Sequence, residues 1–164
     1  MAEFRGLFPP LITPFDEQGR VNETELRNHV DFVVDNGIDG FCAGSSTGEF
    51  MNLTRGEWER VLQISKEQNA GRVPMIAGAA DMSTPATIER CRFAEDMGYD
   101  GLLIISPWYQ VHTMREIYAH FKAVRDAVSI PIMIYNNPPV TGIDLTLDVL
   151  TRMTEDGIIQ YIKD

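Results

Sequence analysis

Lysine is scarce in this chain: Lys66, Lys122 and Lys163 are the only three among 164 residues. Basic side chains as a group are outnumbered, 14 against 24 acidic ones, for a net charge of −10. Such a chain lacks the basic face that nucleic acid requires and is repelled by anionic membranes, so neither is an expected partner. Small-molecule substrates stay open, because the local field of a site can oppose the global sign. No apolar run approaches the ~18 residues that would cross a bilayer. The opening Met-Ala-Glu-Phe-Arg-Gly has no basic-then-apolar leader, so no secretory signal is expected. Cysteine occurs twice, at Cys42 and Cys91, far apart and without metal-ligand spacing, which suits a reduced, cytoplasmic setting. His29, His112 and His120 form no HxxxH cluster on a helix face and read as surface or packing residues. Neither a metal nor a cofactor is expected. What remains, 44% hydrophobic and 23% charged residues, is ordinary for one globular domain.

Two kinds of segment recur. Asn36-Gly-Ile-Asp-Gly-Phe41 is echoed by Met97-Gly-Tyr-Asp-Gly-Leu102, and Val73-Pro-Met-Ile-Ala77 by Ile130-Pro-Ile-Met-Ile134. Each pair lies about sixty residues apart and the two kinds alternate, giving a unit of about thirty residues, the size of one strand–helix step. Helix starts are well marked. Asn22-Glu-Thr-Glu25, Thr54-Arg-Gly-Glu57 and Thr113-Met-Arg-Glu116 read as capping boxes. Thr84-Pro85 reads as a cap followed by Pro at the first helical position. Apolar residues then recur at three and four, as in one-faced helices that cover a sheet.

Six short apolar runs read as strands: Leu7–Thr13, Gly40–Gly44, Val73–Gly78, Gly101–Ser106, Pro131–Tyr135 and Ile158–Lys163. Continuous apolar runs indicate burial on both faces, as in a parallel sheet with helices outside. The first run is not followed by the Gly-rich turn of a doubly wound dinucleotide fold. The spacing and the polar strand ends favour an α/β (βα)8 TIM barrel, of which six strands would be present. Residues 1–164 are then expected to be the N-terminal part of one barrel domain, with strands 7 and 8 and a helical extension to follow.

Barrel chemistry sits at the carboxyl ends of the strands. Those ends supply Thr13, Gly44-Ser-Ser-Thr-Gly-Glu49, Gly78, Ser106-Pro-Trp-Tyr109, Tyr135-Asn-Asn-Pro138 and Lys163. Lys163 stands out because it closes an apolar strand. Burying an ammonium is costly and favours the neutral amine, the form that attacks carbonyl carbons. The plainer reading is a strand-end lysine that reaches solvent or pairs with Asp164. The Gly44–Glu49 loop has N–H groups and hydroxyls suited to an anion, though it also reads as a simple turn. Tyr135 reads as a proton carrier or as packing. Taken together, an amine, a phenol and an anion-holding loop at one barrel mouth would suit a 2-oxo acid, with the amine attacking the ketone.

The motifs Gly44-Ser-Ser-Thr-Gly-Glu49, Tyr135-Asn-Asn-Pro138, Thr141-Gly142 and Ile162-Lys163-Asp164 resemble, in order and spacing, the dihydrodipicolinate synthase / N-acetylneuraminate lyase family of class I, Schiff-base-forming aldolases. The resemblance runs from Gly6 to the end. It implies a (βα)8 barrel with a helical extension, assembled as a homo-oligomer, a dimer or tetramer. It implies that Lys163 is the Schiff-base lysine, Tyr135 the proton-relay phenol, and Ser46 a relay hydroxyl. It further implies that Thr47, with Ser45 and Gly48 in the same loop, holds the substrate carboxylate. Tyr109 matches a tyrosine that the synthase branch inserts into a neighbouring subunit's site. The sequence departs from the pattern at Val140, where synthases that condense pyruvate with aspartate semialdehyde carry an Arg. Val cannot form a bidentate carboxylate clamp.

The expected function is therefore a Schiff-base lyase on 2-oxo acids that cleaves a 2-keto-3-deoxy sugar acid to pyruvate and an aldehyde, or runs the reverse. The rivals are a sugar-acid dehydratase using the same imine, a 4-hydroxy-tetrahydrodipicolinate synthase, disfavoured by Val140, and a non-catalytic fragment.

Overall fold

The computed structural model describes residues 3–164. Its secondary structure alternates helix and strand: α1 (Glu23–Asp35), β1 (Phe41–Ala43), α2 (Arg55–Asn69), β2 (Met75–Gly78), α3 (Thr84–Asp96), β3 (Gly101–Ile105), α4 (Met114–Ala127), β4 (Ile132–Tyr135), α5 (Pro138–Thr141), α6 (Leu147–Glu155) and β5 (Tyr161–Lys163). Two short 3₁₀ turns, Ser46–Gly48 and Phe50–Asn52, follow β1. The residues divide into two compact units, one built on the chain up to Gly78 with Met97–Asp100, the other on Ala79–Asp96 with Gly101–Asp164. No helix among the described residues is long and apolar enough to cross a membrane.

In the first unit β1 and β2 pair in parallel, Phe41 beside Met75 and Ala43 beside Ala77. Every residue of both strands is buried. Helix α1 lies against α2, and Leu26, Val30, Trp58, Val61 and Leu62 form the apolar layer. Two polar contacts lock that layer: Trp58 Nε1 donates to the Gly78 carbonyl (3.0 Å), and Tyr99 Oη to that of Leu62 (2.9 Å). Burial raises the Tyr99 phenol well above its ordinary range, so it stays a donor.

The stretch Leu7–Thr13 is not a strand. It runs beside β1 with a single parallel bridge, Pro10 to Cys42. Cys42 N donates to Pro9 O (3.0 Å) and Leu11 N to Cys42 O (2.8 Å). Pro9 and Pro10 carry no N–H, so the ladder cannot extend through them.

In the second unit β3, β4 and β5 form a parallel ladder, Ile104 beside Ile134 and Ile134 beside Ile162. Helices α3 and α4 pack on each other. Strand β3 is buried throughout, but β4 alternates and β5 is only partly covered. Ile162 is 49% exposed, so the apolar surround expected for the end of this strand is open on one side.

Thr54 and Thr113 each form the full reciprocal capping box with Glu57 and Glu116. Asn22 forms half of one: it accepts from Glu25 N (3.1 Å), while the Glu25 carboxylate accepts from Asn28. Thr84 is not a cap. It lies inside α3, and Ser83 Oγ accepts from Ala86 N (3.3 Å) in its place. The Thr84 hydroxyl instead meets His120 Nδ1 at 2.9 Å, beneath the α3–α4 contact.

Two measurements test this packing. A Cβ on Gly78 would lie 2.6 Å from the Gly44 carbonyl oxygen and 2.7 Å from Ser45 Cα, both backbone atoms. Gly78→Ala is expected to cost about 2 kcal/mol in chemical denaturation, as overpacking does. Burial, with a smaller effect from the His112 charge, lowers the His120 imidazole from 6.5 to about 4. The unfolded chain therefore takes up a proton before the folded one. The contribution is intact above pH 6.5 and declines as pH falls toward 4, by about 2 kcal/mol between pH 7 and pH 5. Denaturation midpoints of wild type and His120→Gln at both pH values check this, since the variant loses that part of the pH dependence.

Candidate active site

The parallel register places Tyr135, the last residue of β4, directly beside Lys163, the last of β5. Residues in register on adjacent strands project to the same face. Lys163 Nζ accordingly lies 4.0 Å from the centroid of the Tyr135 ring. That distance is a cation–π contact for an ammonium. The adjacent carboxylate, Asp164, is turned to Asn136.

Asn136 organises the backbone around this pair. Its N–H donates to the Lys163 carbonyl (2.9 Å). Its buried side chain donates to Asp144 Oδ1 (2.9 Å) and Asp164 Oδ1 (2.8 Å) and accepts from Leu145 N (3.1 Å). One amide thus ties the end of β4, the end of β5 and the segment after α5. Asn137 Nδ2 donates to the Tyr135 phenol oxygen at 3.0 Å. Pro138 then starts α5, and Gly142, at φ 69°, ends it in the left-handed region that suits glycine. Thr141 is buried, its hydroxyl donating to the Ile143 carbonyl (3.0 Å). Val140 stands on α5 with 47% exposure.

On β3 the register sets Ile105 beside Tyr135, and Ser106 follows one residue further along the chain. Its hydroxyl is buried and has no hydrogen-bond partner among the described residues. A buried orphan hydroxyl is uncommon and marks a position where another polar atom fits. Tyr109, three residues on, is 90% exposed and holds φ at 79°, a strained backbone for a residue with a Cβ.

The hydroxyl loop belongs to the first unit. Gly44 turns the chain at φ 66°, and a Cβ there would meet Trp58 Nε1 at 2.8 Å. Ser45 is buried, and its Oγ has no partner among the described residues. Ser46, Thr47 and Gly48 form a 3₁₀ turn rather than an open loop. Glu49 N and Phe50 N are bonded within it, to Ser46 O (3.0 Å) and Ser45 O (3.4 Å). The N–H groups left for an anion are those at the start of the turn, where a helical segment has no internal acceptors. Ser46 and Thr47 are exposed, and Gly48 is buried with its carbonyl accepting from Thr13 Oγ1 (2.7 Å).

The structure therefore brings Lys163 and Tyr135 together in the second unit, with Val140 and Tyr109 on segments that follow β4 and β3. Ser45, Ser46, Thr47 and Gly48 gather in the first unit. Asn136, Asn137 and Ser106 stand among the strand-end residues read from the sequence, but no role was assigned to them there. No group of three or more His, Cys, Asp or Glu among the described residues could hold a metal ion.

The profile of the Dihydrodipicolinate synthetase family matches residues 3–164. A 4-hydroxy-tetrahydrodipicolinate synthase of Methylobacterium radiotolerans is 39% identical over 163 residues, 99% of this chain and 54% of that protein. The dihydrodipicolinate synthase of Aquifex aeolicus superposes with a TM-score of 0.94 at 36% identity, covering 98% of this chain and 55% of the other. A prophage protein of the dihydrodipicolinic acid synthase family from E. coli K12, solved with pyruvate, superposes with a TM-score of 0.95 at 30% identity, covering 99% and 55%. The chain spans about half the length of the relatives it matches, and its fold is the corresponding part of a TIM barrel. The chain belongs to the dihydrodipicolinate synthetase family.

Proposed function

We propose that the protein forms an imine between Lys163 and a 2-oxo acid, pyruvate first, and uses it to make or break a carbon–carbon bond. The observation that carries this reading is the Lys163 amine 4.0 Å from the Tyr135 ring at adjacent strand ends. The Lys163 nitrogen attacks the ketone carbon, giving a carbinolamine. Tyr135 gives its proton to the carbinolamine hydroxyl, which leaves as water. The resulting iminium is an electron sink, and the phenoxide takes a proton from the neighbouring carbon, leaving an enamine and a restored phenol. Ser46 serves as a relay hydroxyl, and Thr47 with Ser45 and Gly48 holds the carboxylate. Tyr109 completes the site of a neighbouring subunit in a dimer or tetramer. The pyruvate bound to the E. coli K12 relative supports the donor.

The whole enzyme in this reading has further strand–helix units after β5 and a helical extension, and it works in the cytoplasm. The names of the curated relatives support 4-hydroxy-tetrahydrodipicolinate synthesis as the overall reaction. Val140, at the place where the resemblance puts the carboxylate-clamping Arg, favours a second reading: a neutral acceptor, with cleavage of a 2-keto-3-deoxy sugar acid to pyruvate and an aldehyde.

Two experiments on the whole protein follow. Pyruvate plus borohydride is expected to leave an irreversible adduct at Lys163, absent from Lys163→Ala; an adduct at Lys66 or Lys122, or none, overturns the mechanism. Coupled assays then separate the acceptors. The synthase consumes pyruvate together with aspartate semialdehyde, whereas the lyase releases pyruvate from the sugar acid and leaves the semialdehyde untouched.

A further inference from the structure

Asn137 occupies the position just before α5, where an asparagine side chain ordinarily caps the first turn. It makes no such cap. Its Nδ2 instead donates to the Tyr135 phenol oxygen at 3.0 Å, two residues back. The first turn of α5 is left to Pro138 and to backbone bonds from Val140 N and Thr141 N onto the Asn137 carbonyl. Among the described residues the side chain is thus free of the helix and bonded to the phenol alone. That matters because the same ring carries the Lys163 amine on its face.

We propose that Asn137 is a positioning residue that acts through Tyr135; the proposal rests on the imine chemistry described above. An amide N–H on the phenol oxygen occupies one of its lone pairs, so the phenolic proton must point away from Asn137. It also pins the ring by its far end, which holds the face against Lys163. When Tyr135 gives its proton to the departing hydroxyl, negative charge is left on the phenol oxygen. The Asn137 N–H already points at that atom, so the charge meets a donor without reorganisation, and the hydrogen bond strengthens as the charge forms. The same bond persists while the phenoxide recovers a proton from the carbon beside the iminium. Asn137 gains and loses no atoms in either step.

The whole protein tests this with three variants. Asn137→Ala is expected to lower kcat about 100-fold, the effect of removing one preorganised donor. KM for pyruvate should change little, and borohydride should still trap pyruvate on Lys163. Asn137→Asp has the same size and lacks the N–H, so it should lose as much as Asn137→Ala. In a Tyr135→Phe background, Asn137→Ala should cost nothing further, because the atom it serves is gone. Full activity in Asn137→Ala, or a second loss of the same size on top of Tyr135→Phe, overturns the proposal and leaves Asn137 a structural residue. Failure of the wild-type enzyme to trap pyruvate at all overturns the underlying imine reading, a result visible before any Asn137 variant is made.

Discussion

The parallel register between β4 and β5 is the constraint from which the candidate chemistry follows. It sets Tyr135 against Lys163, residue for residue, at the ends of both strands. Side chains alternate along a strand with period two, so a slip of one residue would send the two side chains to opposite faces. The register is held from three sides. Ile134 and Ile162 pair in the layer beneath. The Gln160 side chain accepts from Ile132 N (2.9 Å), and the Gln160 backbone N–H donates to Ile132 O (3.0 Å). Asn136 N then closes the far end on the Lys163 carbonyl.

Asn136 and Asn137 divide two tasks between adjacent positions. Asn136 is buried, and its amide satisfies two carboxylates and a backbone N–H, so it determines where the chain goes after β4. Asn137 reaches back to the phenol. Strand alternation separates them: consecutive residues leaving a strand point to opposite sides, one inward to the backbone framework and one toward the Tyr135 phenol. The prolines that follow fix the backbone so that neither side chain is needed to start α5.

Glycine makes an equivalent provision in the first unit. A methyl group on Gly78 would run into the Gly44 backbone, one on Gly44 would run into the Trp58 indole, and Trp58 in turn donates to the Gly78 carbonyl. That close approach carries the chain directly into the buried Ser45 and the turn of Ser46, Thr47 and Gly48. The turn's amides are partly consumed by its own hydrogen bonds, which leaves fewer donors for an anion than an open loop would.

Much of the fold was legible in the residues. Capping boxes, Pro and Gly punctuation and apolar periodicity located α1, α2, α4 and five strands, because those signals act within a few residues. The misreadings came where distant partners decide. Leu7–Thr13 reads as a buried strand until the missing N–H groups of Pro9 and Pro10 are set against β1. Thr84 looks like a cap until His120 claims its hydroxyl from a helix away. The same division holds for the site. An amine at the end of an apolar strand and a phenol at the end of another were visible in the sequence, since each is marked by its own neighbours. That the amine sits 4.0 Å from the centre of the phenol ring, that Asn137 holds the phenol, and that the buried Ser106 hydroxyl has no partner among the described residues were settled only by tertiary structure. Strand pairing joins residues 28 positions apart, and no local preference encodes which of them meet.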